Sequence, residues 1–110
     1  MQWADQASNE AYWSVNSKNI EFGKSKSLVD YNQKLILDNG MSLAMAPEPS
    51  FVRLITSLNN DYGVGCEAMR PVWGCSCTKE SYSKLPSISF NVIANPEGKT
   101  FFVEMPKEAY

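Results

Sequence analysis

Apolar and polar residues along this chain alternate with two different periods, and the change of period divides it. From Tyr12 to Gly23, and again from Leu35 to Met45, the alternation is close to twofold, as in strands with one buried face. Tyr12-Trp13-Ser14-Val15 leads into Asn19-Ile20-Glu21-Phe22-Gly23, which predicts one or two strands ahead of a polar turn at Lys24-Ser25-Lys26-Ser27. Leu35-Ile36-Leu37 is a short apolar run that predicts a fully buried strand. Asp38-Asn39-Gly40 breaks it, and Met41-Ser42-Leu43-Ala44-Met45 resumes alternation. After Pro47 the period lengthens: Phe51, Leu54, Ile55 and Leu58 recur at helical spacing and predict one amphipathic helix of about three turns, its stripe facing the core. Pro47 and Pro49 suit its first turn, and Asn59-Asn60-Asp61 ends it. Val72-Trp73-Gly74 reads as extended. Ile88, Phe90 and Val92 alternate with Ser89 and Asn91, Asn95-Pro96-Glu97-Gly98 is a turn, and Thr100 to Met105 is the returning arm of a hairpin. The pattern is mostly β.

Composition sets limits on this picture. At 110 residues the chain is one domain at most, and 44% apolar against 20% charged residues marks a packed chain, not a disordered one. A net charge of −2 gives no electrostatic basis for a nucleic-acid or anionic-membrane partner, and no run is long enough to span a bilayer. Met1-Gln2-Trp3-Ala4-Asp5 has neither a basic start nor an apolar stretch, so it is not a signal peptide, and the signal of a secreted parent would lie outside this chain. Histidine is absent, which removes Ser-His-Asp and Cys-His catalysis and the commonest zinc ligand. Cys66, Cys75 and Cys77 permit one disulfide and one remaining thiol, and Cys75 and Cys77, two apart, share a strand face from which either could meet Cys66. A zinc site lacks its fourth ligand, and no metal or cofactor is expected.

Taken alone, Asp38-Asn39-Gly40 is an ordinary turn signal. Its flanks change that reading. Tyr12-Trp13 stands upstream, and an apolar triplet immediately precedes the aspartate. Ser42-Leu43, Pro47, the helix and a cysteine segment follow, then Leu85-Pro86-Ser87-Ile88-Ser89-Phe90, and finally Met105-Pro106-Lys107-Glu108-Ala109-Tyr110. This order resembles the second lobe of the pepsin and cathepsin D type aspartic proteases, which runs YW, apolar-apolar-D-T-G-[ST]-S-L, a proline, C, L-P-x-apolar-x-F and P-x-x-Y. The resemblance covers the chain from Trp3 to Tyr110.

The resemblance implies an all-β fold: one lobe of the bilobal pepsin-like acid protease, a β-barrel lobe with one or two short helices. Residues 1–110 would form the carboxy-terminal lobe, incomplete at its own carboxy-terminal end. Asp38 would be one half of a catalytic pair, at the tip of a buried loop aimed into a cleft. Two carboxylates about 3 Å apart cannot both ionise; they share one proton and together activate a water that attacks the peptide carbonyl. Ile36, Gly40, Met41 and Ser42 stand where the family lines its substrate cleft, and Asn39 where it contacts the opposite lobe. The implied partners are a peptide or protein substrate and the amino-terminal lobe, with no cofactor, and the implied location is secreted or lysosomal/vacuolar. Without the other lobe the chain would not cleave peptides.

Two residues depart from the family pattern. Asn39 replaces the threonine that bonds across to the other lobe, and Met41 replaces the hydroxyl that bonds the outer oxygen of the aspartate. A lost hydrogen bond to a carboxylate is worth roughly 1.5–3 kcal/mol. A protease-shaped lobe that binds peptide without hydrolysing it is therefore the competing reading. Retroviral-type homodimerisation, with one aspartate per chain, fits the flanking landmarks less well. Trp3, Trp13 and Trp73 read as core or inter-lobe packing, and Glu21, Asp30, Asp61 and Glu104 as surface charges.

Overall fold

The computed structural model describes residues 3–5, 13–23, 26–38, 40 and 43–110. Two compact units emerge: residues up to Met45 together with Ser87–Tyr110, and Ala46–Pro86 between them.

The first unit is an open antiparallel sheet. Strand β1 spans Ser14–Phe22, β2 Lys26–Ser27 and β3 Gln33–Ile36; β6 (Ile88–Ile93) and β7 (Thr100–Met105) come from the end of the chain. β1 pairs with β6 along one edge, and β6 pairs with β7. The other edge of β1 is shared, β2 taking Glu21–Phe22 and β3 taking Ser14–Ser17. No closed barrel forms among the described residues, so the barrel expectation is corrected to an open sheet.

The two predicted stretches at the start are one strand with an irregularity. Ser17 faces Val92 and Asn19 faces Asn91, leaving Lys18 as an extra residue on β1. Such a bulge shifts the phase of alternation by one. It brings Val15 onto the face that carries Ile20 and Phe22, although their spacing in sequence is odd. Ser17, fully buried, closes the irregularity: its hydroxyl lies 2.9 Å from the Asn19 carbonyl and 3.2 Å from that of Asn91. Phe22, Leu28, Val29, Ile88 and Val92 are the buried apolar residues of this unit. The Tyr110 ring meets Phe22 edge-on at 5.9 Å. At the β6–β7 turn, Asn95 Oδ1 accepts from the N–H groups of Glu97 and Lys99, and Gly98 adopts φ 87°, a conformation that side chains rarely tolerate.

The expectation of a fully buried strand at Leu35-Ile36-Leu37 is not met. β3 lies on the edge, with Ile36 and Leu37 55% and 62% exposed. Nor do Leu43–Met45 form a strand; the earlier part of that segment, Met41 and Ser42, lies outside the described residues.

The second unit holds the expected helix, α1, at Glu48–Asp61, entered from Pro47 with a proline in its first turn. Leu58 is buried, while Phe51, Leu54 and Ile55 are half-buried. The helix stops where Val64 N–H bonds the Leu58 carbonyl, just past Gly63 at φ 67°. A separate hairpin follows, β4 (Gly65–Met69) against β5 (Val72–Ser76). A short second helix, α2 (Lys79–Ser83), is capped by Thr78, whose hydroxyl accepts from the Ser81 N–H at 3.1 Å. Asn59 Oδ1 accepts from the Cys66 N–H, and the Phe51 and Trp73 rings meet edge-on at 5.5 Å, so two contacts tie the hairpin to α1.

Phe22 is 2% exposed at the centre of the five-stranded sheet. Phe22→Ala is expected to destabilise the chain by about 3–5 kcal/mol, read as a lowered denaturant midpoint. A shift below 1 kcal/mol would mean that this sheet has no working core at Phe22.

Candidate functional site

Asp38 is placed by the pairing of β3 with β1. The ladder runs through Ser14 opposite Ile36 and continues one bond further, where the Leu37 N–H donates to the Trp13 carbonyl at 2.8 Å. Asp38 is the first residue beyond that bond, so the sheet fixes the backbone up to the aspartate and then releases it. The carboxylate immediately turns the chain: Gly40 N–H donates to Asp38 Oδ1 at 2.8 Å, a side-chain-closed turn of the kind aspartate favours. A methyl group at Gly40 would lie 3.2 Å from that oxygen, inside ordinary contact distance, so glycine keeps the space beside the carboxylate open.

Of the expected site residues, the structure brings Ile36, Asp38 and Gly40 together on one short, exposed stretch. Asn39, Met41 and Ser42 lie outside the described residues, as does Tyr12 of the Tyr-Trp pair. The burial expected of the loop is not supplied here: Asp38 is at the surface of the described chain. Leu37, which the sequence presents as part of a buried run, joins the exposed stretch beside Asp38. Nothing in an apolar triplet distinguishes an edge position from a central one, so no sequence signal could have marked it.

The cysteines resolve into one bridge and one thiol. The hairpin register sets Cys66 directly opposite Cys75, and these two form the disulfide; Cys77 lies one residue beyond the end of β5 and is an exposed free thiol. An isolated two-stranded hairpin is marginal in water. Closing a loop this short is worth about 2–3 kcal/mol in a chain-entropy account, which supports a hairpin whose residues are mostly exposed. On its outer face the Met69 thioether lies over Gly74, where an added methyl would come within 2.2 Å of the sulfur.

The tryptophans are not core residues. Trp3 and Trp13 are 77% and 72% exposed, and Trp73 keeps one ring contact while half its surface is open. Asp30, Asp61 and Glu104 are exposed, as expected of surface charges. Glu21 is half-buried and accepts from Asn19 Nδ2 at 2.7 Å, and Asp61 accepts from the Ser57 hydroxyl at 2.8 Å. Among the described residues no cluster of three or more His, Cys, Asp or Glu side chains could hold a metal ion, and no helix is long and apolar enough to cross a membrane.

A mostly antiparallel sheet, two helices and an aspartate turned by the glycine two residues on define a β lobe built around an Asp-x-Gly loop. The family profile of the eukaryotic aspartyl proteases matches the chain from residue 1 to residue 110, and the chain belongs to that family. Its architecture accords with an all-β lobe of the pepsin-like fold. No curated protein and no solved structure matches it.

Thiol chemistry provides a direct check on the cysteine assignment. Alkylation of the native, non-reduced chain should add one label, at Cys77, and reduction should raise the total to three. Labelling of Cys75 before reduction would show the bridge to be misassigned.

Proposed function

We propose that this chain is the carboxy-terminal lobe of an aspartic endopeptidase and supplies Asp38 as one carboxylate of its catalytic pair. The observation that carries the reading is the Asp38-Asn39-Gly40 loop, with its Gly40 N–H on the aspartate, inside a family match that spans the chain. The backbone N–H occupies Oδ1 and fixes the carboxylate in one orientation, which leaves Oδ2 to face the second aspartate and the water. That second carboxylate comes from the amino-terminal lobe. With one proton shared between them, one group removes a proton from water while the other protonates the carbonyl oxygen of the peptide bond. Ile36, Gly40, Met41 and Ser42 line the substrate side, and Asn39 meets the opposite loop. Ile36 and Leu37, exposed beside Asp38, offer apolar surface to that lobe or to a peptide. The Cys66–Cys75 disulfide supports a secreted or lysosomal location, where oxidised cysteines persist.

The competing reading, a lobe that binds peptide without cleaving it, draws on Met41, which offers no hydroxyl to the aspartate. Both readings are separable in the full-length protein. The catalytic one expects acid-optimal, pepstatin-sensitive peptide cleavage that falls by at least about 10³-fold in Asp38→Ala, with no turnover by the 110-residue chain alone. Cleavage that survives Asp38→Ala refutes it. Peptide binding without turnover, unchanged in that variant, establishes the non-catalytic lobe in its place.

A further inference from the structure

β7 is the outer strand of the five-stranded sheet, and the direction of its backbone groups follows from the hydrogen bonds at its start. Ala94 N–H donates to the Lys99 carbonyl at 2.7 Å, and the β6–β7 register continues from that pair. Bonding alternates along an antiparallel strand. Lys99, Phe101, Val103 and Met105 therefore turn their backbone groups toward β6, and Thr100, Phe102 and Glu104 turn theirs away. Those three residues hold three N–H and three C=O groups on an edge that pairs with no other strand among the described residues. The side chains at this edge are equally open: Phe102 is 57% and Val103 47% exposed, one on each face of the sheet.

Unpaired edges are normally protected by short length, by lysine or proline, or by a bulge. β3, on the opposite side of the sheet, is four residues long and carries Lys34. β7 is six residues long, regular in its pairing with β6, and has Glu104 as its one charged residue.

We propose that β7 is a self-association edge, pairing antiparallel with the β7 of a second copy of this chain about a twofold axis at Phe102. The register is set by the chain itself. Opposed residues must both turn their backbone groups outward, so Phe102 can face Phe102 of the second copy with Thr100 facing Glu104 on either side. A shift of two residues one way sets Pro106, which has no N–H, opposite Thr100. The same shift the other way brings Gly98 at φ 87° into the ladder opposite Glu104. In the central register each Glu104 carboxylate meets a Thr100 hydroxyl, which can donate to it. The two glutamates stay roughly 14 Å apart along the strands, a separation at which physiological salt screens their repulsion. On the other face Phe101 opposes Val103, an aromatic and β-branched pair of the kind that stabilises sheets.

This pairing is independent of Asp38 and of any peptidase activity. Its test is the sedimentation of the 110-residue chain across a concentration series, with charge changes at the paired positions. Wild-type chain should show a monomer–dimer equilibrium. Thr100→Glu sets like charges against Glu104 and should weaken dimerisation at least about tenfold. Adding Glu104→Lys to it should restore the dimer. Circular dichroism of each variant reports whether the sheet itself persists. A wild-type chain that stays monomeric, a dimer indifferent to Thr100→Glu, or a double variant that fails to recover while folded would each overturn the proposal.

Discussion

The first unit depends on β1 being paired along both of its edges. A strand in that position has nearly all its backbone groups committed, so every neighbour must accept the register it dictates. β6 takes the core half, and with it the β6–β7 hairpin; β2 and β3 divide what remains. Phe22 sits where the β2 and β6 pairings overlap, which explains why a residue near the strand end is among the most buried in the chain. Asp38 inherits its place from the same strand, because the β1–β3 ladder fixes the chain as far as Leu37 and no further.

Two kinds of constraint hold the two units. In the sheet, backbone pairing joins segments from both ends of the chain. In the segment between Ala46 and Pro86, a helix, a disulfide-closed hairpin and a single ring contact do the work with few buried side chains: Ser50, Ser57, Leu58 and Val64. Covalent closure substitutes there for the apolar burial that so short a segment cannot provide.

How much of this could be read from the sequence varies by element. The α1 stripe and the Thr100–Met105 arm were legible because each has a strong period and a clear stop: proline and Asn-Asn-Asp for the helix, Asn-Pro-Glu-Gly for the hairpin. β1 was legible as extended but not as one strand, because its bulge breaks the alternation on which the reading relies. α2 was missed; five residues carry too little periodicity, and only the Thr78 cap marks them. Leu35-Ile36-Leu37 was misjudged because hydrophobicity reports the tendency to be covered, not whether this length of chain supplies a cover. Asp38 and Gly40 were legible as a pair from family landmarks, and the hydrogen bond between them is a local event that the Asp-x-Gly spacing permits. The choice of Cys75 over Cys77 required the hairpin register, which depends on where the turn at Arg70-Pro71 falls.

The extra residue at Lys18 has a consequence for how this lobe can vary in length. Because Lys18 faces no partner on β6, a chain one residue shorter at that point would keep Val15 and Phe22 on the same side. Elsewhere in β1 a single deletion would turn half the strand inside out. Natural or engineered variants that shorten this strand should therefore do so at Lys18, gaining a straighter sheet and losing the local twist.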